Sequence, residues 1–396
     1  MTNLPQGWEV KKLGEIGEIV TGSTPSKSNL DFYGKDYPFF KPSDFEQGYF
    51  LENAGDNLSK LGFDKARQLP PKTILVVCIG SLGKVALTRV IGSCNQQINA
   101  IIPHKNIIAE YIYYYCISSK FQSILFSKAP QTTLAILNKT EFSKLEIIYP
   151  KDIKEQERIV GILDESFAKI DESIKILEQD LLNLDELMQS ALQKAFNPLK
   201  DNAKENYKLP QGWEWKSLGE IANTSSGGTP SRNKKEYWEN GNIKWLKSGE
   251  LNDGYIDFIE ENITEEAIKN SSAKIFQKGT LLIAMYGATA GKLGILNLDS
   301  TTNQAICAFL HKDKNIKFLE KFLFYFLFFL RDKIIKDSFG GAQPNINQTY
   351  IKNLQIPLPP IKEQEQIASH LDELSSHVKN LKQNYQAQIK DLQELK

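Results

Sequence analysis

Cysteine is sparse and scattered: Cys78, Cys94, Cys116 and Cys307 are the only four in 396 residues, and they form no C-x-x-C pair. That excludes a disulfide framework and a thiolate metal site, and leaves buried thiols in a reducing cytoplasm as the expectation. The four histidines, His104, His311, His370 and His377, do not cluster, and polar helix faces account for them. Long apolar runs are missing too. The most hydrophobic, "FLFYFLFFL" from Phe322 to Leu330, is far shorter than the ~20 residues a bilayer crossing needs, so it is read as a buried helix. The opening "MTNLPQGWEV" carries no apolar signal core. Neither sign of charge is in excess, since 48 basic residues balance 48 acidic ones. A nucleic-acid partner would therefore have to find positive charge segregated locally.

Catalytic signatures are also absent. There is no G-x-S-x-G elbow and no H-E-x-x-H pair. Methyl transfer to an amino group calls for a Gly-rich cofactor loop and an Asn/Asp-Pro-Pro-aromatic motif. "NPLK" at Asn197 lacks both the second proline and the aromatic. "GATAGK" (residues 287–292) has one residue too few between its glycines for a phosphate loop, and Leu293 stands where Ser or Thr is required. "GSLGKV" in the first half is shorter still. Both read as glycine turns between strands that aim a lysine outward.

What the chain does have is a duplication. "LPQGWEVKKLGEI" at Leu4 returns as "LPQGWEWKSLGEI" at Leu209, 205 positions later. That period is too long for a solenoid or propeller repeat and fits a whole domain with its connector. The register holds through "TPS" at Thr24 and Thr229, "KPSDF" and "LKSGEL", "TILVVCI" and "TLLIAMY", "NQQINAI" at Asn95 and "NQAICAF" at Asn303. It ends with "IKEQERIVGILDE" at Ile153 and "IKEQEQIASHLDE" at Ile361. Each half reads as short strands punctuated by turn residues, then an aromatic helix, "YIYYYCI" or "FLFYFLFFL".

The pattern then changes to a seam of alternating three- and four-residue steps. In the first half it runs through Val160, Leu163, Phe167, Ile170, Ile174, Leu177, Leu181, Leu184, Met188, Ala191 and Ala195, until "NPLKD" ends the helix. In the second it runs through Ile367, Leu371, Leu374, Val378, Leu381, Tyr385, Leu392 and Leu395, with Gln388 interrupting. A helix from Ile153 to Phe196 would be roughly 65 Å long. The simplest assembly packs the two helices on each other antiparallel; the alternative folds each back on its own domain. The expected fold is α+β: two β-rich globular domains joined by two long helices packed as a pseudo-twofold antiparallel coiled coil. The expected boundaries are 1–150, 151–200, 201–359 and 360–396.

The polar residues left over suit base and phosphate recognition. Asn95, Gln96, Gln97, Asn303 and Gln304 carry amides able to pair with adenine edges. Lys41, Lys84, Arg89, Lys247 and Lys292 can hold phosphates or guanine, with Ser43 and Ser248 in step beside two of the lysines. The alternative for an Asn-Gln pair between strands is that it satisfies backbone groups. At the level of class, an enzyme with unfamiliar motifs and a coiled-coil scaffold indifferent to DNA remain rivals.

Taken in order and twice over, "LPQGWEVKKLGEI", "TGSTPSK", "GATAGKLGI", "NQAICAF" and "PLPPIKEQEQIASHLDE" resemble the specificity subunit of type I restriction–modification enzymes. The resemblance covers essentially the whole chain. It implies two target-recognition domains, each reading one part of a split double-stranded DNA target from the major groove. It implies helices that fix the unread spacer and dock two modification (methyltransferase) subunits, with restriction/translocase subunits joining the complex. It implies a non-catalytic, cytoplasmic, membrane-free chain without cofactors of its own. S-adenosylmethionine, ATP and Mg2+ are expected on the partner subunits. Identity between the copies should persist where shared partners dock, as in "IKEQE". On the alignment of the halves Lys396 corresponds to Met188, so the second helix is expected to be the shorter.

Overall fold

Within "TILVVCI" and "TLLIAMY" the segments Ile74–Val77 and Leu281–Ala284 become strands buried on both faces, which is why they are apolar at every position instead of at every second one. In the first, Ile74 and Val76 enter one core cluster while Leu75 and Val77 enter another. In the second, Leu281 and Ile283 face one cluster, and Leu282 and Ala284 the other. These strands are the centres of two sheets in a computed structural model that describes residues 4–129, 135–196, 209–312, 317–337 and 346–396. The chain divides into two compact units, Met1–Glu172 and Ser173–Lys396. The "NPLKD" stretch at Asn197 lies outside the described residues.

Unit 1 contains strands β1 (Trp8–Lys12), β2 (Gly17–Thr21), β3 (Tyr33–Phe40), β4 (Phe50–Leu51) and β5 (Asp56–Leu58). They are followed by β6 (Ile74–Val77), β7 (Val85–Thr88), β8 (Ser93–Cys94), β9 (Ile98–Pro103) and β10 (Glu146–Pro150). Its helices are α1 (Leu13–Ile16), α2 (Lys60–Lys65), α3 (Ala109–Ile117), α4 (Ser119–Lys128) and α5 (Lys139–Ser143), and then the long α6 (Ile153–Phe196) begins. The main sheet has the order β2-β9-β6-β7-β4. A second sheet places β3 between β5 and β8, with β3 and β8 parallel. The opening "WEVKK" pairs with the strand just before the long helix, β1 against β10.

Unit 2 repeats this plan. Its strands are β11 (Glu214–Ser217), β12 (Ala222–Ser226), β13 (Ile243–Leu246), β14 (Gly254–Ile256), β15 (Asn262–Ile263) and β16 (Ile275–Phe276). The rest are β17 (Leu281–Ala284), β18 (Leu293–Leu296), β19 (Ser300–Thr302), β20 (Ile306–His311) and β21 (Gln355–Leu358). The helices are α7 (Leu218–Ile221), α8 (Glu265–Lys269), α9 (Glu320–Lys336), α10 (Gln348–Asn353) and α11 (Ile361–Leu395). The main sheet runs β12-β20-β17-β18-β14, the same order element for element, and β13 pairs parallel with β19 as β3 does with β8. "FLFYFLFFL" is the buried centre of α9. Among the described residues no helix is long and apolar enough to cross a membrane.

Both long helices are rooted the same way. Gln156 and Gln364, fully buried within "IKEQE", each bridge three backbone groups. The Gln156 amide donates to Pro150 O (2.9 Å) and Asn106 O (3.4 Å), and its oxygen accepts from Ile108 N (2.9 Å). The Gln364 amide donates to Pro359 O (2.9 Å) and Lys317 O (3.3 Å), and its oxygen accepts from Leu319 N (2.8 Å). About two turns on, the shared "LDE" supplies a carboxylate to the aromatic helix: Tyr114 donates to Asp164, and Tyr325 to Asp372 at 2.8 Å. Within "IKEQE" the glutamine is therefore a buried clamp, while Ile153, Lys154 and Glu157, like Ile361, Lys362 and Glu365, stay exposed.

The contacts of α6 follow the division into units. In unit 1, Val160 is buried, and Leu163 and Phe167 pack against the aromatic core, Phe167 stacking on Tyr114 at 5.5 Å. Ile170, Ile174, Leu177 and Leu181 are half-buried and Leu184 is buried. In unit 2 the end of α6 runs antiparallel to α11. Lys382 pairs with Asp185, whereas Ala191 and Ala195 line a cleft with Leu371 and Ile367, so higher numbers on one helix meet lower numbers on the other. Leu371 and Val378 are buried and Leu374 half-buried.

Two seam positions differ from expectation. Leu381 is 40% exposed, because the inward stripe passes from Val378 to half-buried Lys382, then Tyr385, Ile389 and Leu392, which also bypasses Gln388. Leu395 is exposed as well. At the end of α6 it is Leu192 and Phe196, beside Ala191 and Ala195, that are buried, with Phe196 set edge-on to Phe322 (5.3 Å) and Phe326 (5.6 Å).

Candidate nucleic-acid interface

In each unit the parallel strand pair ends with a lysine next to an Asn-Gln turn. Phe40 is in register with Cys94, so Lys41 emerges beside Asn95, and Asn95 N donates to Phe40 O at 3.1 Å. Leu246 is in register with Thr302, so Lys247 emerges beside Asn303, and Asn303 N donates to Leu246 O at 2.9 Å. A carboxylate three residues past each lysine fixes its backbone: Lys41 N donates to Asp44 Oδ2 (2.7 Å) and Lys247 N to Glu250 Oε2 (2.8 Å). Ser43 is exposed and Ser248 half-buried on the short helical turns that follow.

The Thr-Pro-Ser loops close over these turns. Thr24 Oγ1 donates to Gln96 Oε1, and Thr229 Oγ1 to Gln304 Oε1, both at 2.5 Å. The approach is close enough to require glycine: a β-carbon on Gly22 would run into the carbonyl of Asn95, and one on Gly227 into that of Thr302. Gln96 and Gln304 are exposed. With their oxygens held by threonine, their amide NH2 groups are the ends presented outward. An NH2 donor suits the acceptor edges of bases in the major groove.

The two asparagines do the backbone work that was the alternative reading. Asn95 Oδ1 accepts from Gln97 N (3.0 Å) and Asn303 Oδ1 from Ala305 N (3.2 Å), the side-chain turn typical of this residue. Gln97 is engaged within the fold. Its oxygen accepts from Asn95 Nδ2 (2.8 Å) and its NH2 reaches Ile79 O (3.4 Å), so both ends of the amide are engaged inside the fold.

The cations are almost all neutralised by a neighbour. Lys41 pairs with Asp56, Lys84 with Glu46, Arg89 with Glu52 (3.1 Å) and Lys247 with Glu261 (2.7 Å). Burial pushes the Glu261 carboxyl up, but hydrogen bonds from Arg232 and Lys247 outweigh it and hold the group below the usual range. Lys84 and Arg89 flank β7 at its two ends; Glu46, which holds Lys84, lies on the short helical turn after Lys41, and Arg89 also lies over the Phe50 ring at 3.6 Å. Lys292 is exposed directly after Gly291, whose φ of +80° closes the "GATAGK" turn between β17 and β18.

A further matched pair of cations escaped the sequence reading. Arg67 Nη1 donates to Thr21 O at 2.5 Å, and Lys274 Nζ to Ser225 Oγ at 3.1 Å, both at the base of the Thr-Pro-Ser loop. Their signal was present in the alignment of "ARQLPPKT" with "AKIFQKGT", where the cation recurs in step. Arg232, which follows the second Thr-Pro-Ser, stacks on Trp238 at 3.7 Å and shares Glu261 with Lys247. Among the described residues no group of three or more His, Cys, Asp or Glu side chains is placed to hold a metal ion.

The structure thus carries a duplicated polar cluster on a duplicated β-rich unit, each followed by a long helix. The family model for the type I restriction modification DNA specificity domain matches residues 5–181 and again 210–391. The chain belongs to this family, in which its part is DNA target recognition and not catalysis. It is 38% identical over 186 residues to the HindI specificity subunit of Haemophilus influenzae, covering 45% of this chain and 40% of that relative. It is 26% identical over 371 residues to the MjaIX specificity subunit of Methanocaldococcus jannaschii, covering 90% and 84%. In fold it is similar to the HsdS subunit from Thermoanaerobacter tengcongensis (TM-score 0.68, 21% identity, 99% of this chain and 95% of that one). A structure from work on complex assembly and conformational transition of the type I R-M system gives a TM-score of 0.76 at 21% identity, covering 100% and 97%.

Proposed function

We propose that each unit reads one half of a split duplex target, and that the two long helices set the unread spacer and dock two methylating subunits. The observation that carries this reading is the repeated cluster of lysine, asparagine, glutamine and threonine, with Lys41, Gln96 and Thr24 matched by Lys247, Gln304 and Thr229. The glutamine amides read base edges, and the lysines hold the backbone in register. Arg67 and Lys274 add phosphate contacts around the same loops, and Lys292 adds one from the turn between β17 and β18.

Docking is supported by a second repeat, exposed this time. Ile153 and Ile361 open the two long helices with 39% and 37% of their surface free, beside exposed Lys154, Glu157, Lys362 and Glu365. An isoleucine left in water twice at the same place suits two copies of one partner. Those partners bind S-adenosylmethionine and methylate adenine, and restriction subunits using ATP and Mg2+ join them in the cytoplasm. Mapping methylated adenines in the host genome, with and without the gene, tests the proposal. Loss of methylation at one split motif on both strands supports it, and an unchanged map contradicts it.

A further inference from the structure

The two interface lysines share more than their place: each is held by a carboxylate on the neighbouring strand. Asp56 opens β5 and faces Phe39 across the β3–β5 ladder, and its carboxylate contacts Lys41. Glu261, 205 positions further on, directly precedes β15; its carbonyl accepts from Trp245 N at 2.9 Å and its carboxylate contacts Lys247 at 2.7 Å. The acid changes from Asp to Glu between the copies while the pairing is kept. In unit 2 the same carboxylate also holds Arg232 at 2.6 Å.

We infer that Asp56 and Glu261 are specificity-determining residues, each occupying in the DNA-free protein the place that a backbone phosphate takes when the target is bound. The inference rests on the interface reading above. A lysine already paired contributes nothing to the counterion release that drives binding to arbitrary DNA, and its carboxylate repels an approaching phosphate. The exchange of carboxylate for phosphate becomes favourable only where base contacts from Gln96 or Gln304 hold the strand in place. Pairing therefore weakens binding to wrong sequences more than to the right one, and widens the ratio between them. It also gives the balanced charge of the chain a use: neutral pairs cover the face at which a free basic patch would bind any duplex. The side chains are accessible enough to exchange, Lys41 being 29% exposed and Asp56 46%, Lys247 37% and Glu261 26%.

The test uses the full chain assembled with its methylating subunits, and two near-isosteric variants, Asp56→Asn and Glu261→Gln. Dissociation constants are measured across a salt series for a scrambled duplex and for a duplex carrying the mapped target. Each variant is expected to tighten scrambled-duplex binding by about 3- to 10-fold at low salt, and to steepen the log K against log salt slope by roughly 0.9, the value of one added phosphate contact. Target affinity should change less, so discrimination falls. Lys41→Ala and Lys247→Ala separate the two levels of the argument. If they leave both affinities unchanged, the interface reading fails and the inference with it. If they weaken binding while neither carboxylate variant tightens it, the inference alone fails. Loss of target affinity in Asp56→Asn or Glu261→Gln, with scrambled binding unchanged, would make the carboxylate a reader of cytosine amino groups and also overturn it.

Discussion

Replacing Gln364 by alanine should be among the most destabilising polar substitutions in the protein. The side chain is 1% exposed and serves Leu319 N, Pro359 O and Lys317 O at 2.8, 2.9 and 3.3 Å. Truncation leaves those backbone groups buried without a partner, at roughly 1–3 kcal/mol each. The third bond is long and the costs do not add fully, so the total should be about 3–5 kcal/mol. Against a domain stability of about 5–15 kcal/mol that is a large fraction. Urea unfolding followed by tryptophan fluorescence is a suitable assay, because Trp213, Trp215, Trp238 and Trp245 all lie in unit 2 and only Trp8 in unit 1. Gln364→Ala should lower the midpoint of the transition those four report, with little change of slope. Gln156→Ala, which breaks the same three-bond pattern in unit 1, should leave that transition in place and shift the one reported by Trp8. A cost below about 1 kcal/mol in both variants would refute the clamp. The recurrence of this glutamine in both copies would then need a reason other than the clamp.

Phe196→Ala should cost unit 2 about 3–5 kcal/mol, since it empties the edge-on site against Phe322 and Phe326; differential scanning calorimetry would read it as a lowered transition temperature. Burial pushes the thiols of Cys78, Cys94 and Cys307 up to about 12, so they should resist a thiol reagent at pH 8 in the folded protein and react when it unfolds. The sign follows from the raised values: these neutral thiols stabilise the fold fully below the unfolded value of about 8.5, and that contribution is lost as pH rises toward 12, visible as a falling urea midpoint. Gln96→Ala should weaken binding to the target duplex by about 1–3 kcal/mol through one half-site only, as measured by titrating duplexes altered in either half.

Much of this architecture could be read from the sequence because its signals are periodic or doubled. Ile74–Val77 and Leu281–Ala284 are apolar at every position since both faces of β6 and β17 are covered, and the heptad steps from Val160 announce a long helix. The seam was legible through Val378 and again at Tyr385 and Leu392, but not at Leu381 or Leu395. Between Val378 and Tyr385 the stripe passes through Lys382, whose stem is half-buried while its amine reaches Asp185, and a pattern of apolar letters passes over such a residue. The interface was legible only in part. Lysine and glutamine positions recur in step, but the carboxylates that neutralise the lysines lie 15 and 14 residues away on a neighbouring strand, and only the ladder brings them together. Gln97 and Gln156 show the converse. The same amide chemistry that suits a base edge is consumed inside the fold, and burial, which no letter in the sequence carries, decides between the two uses.

The central claim is that one unit reads one half of the target. The most direct measurement exchanges residues 1–150 for the first recognition domain of another family member and maps methylated adenines in cells that carry the hybrid. The account predicts a split motif in which one half changes and the other half is retained. A motif altered in both halves would contradict it.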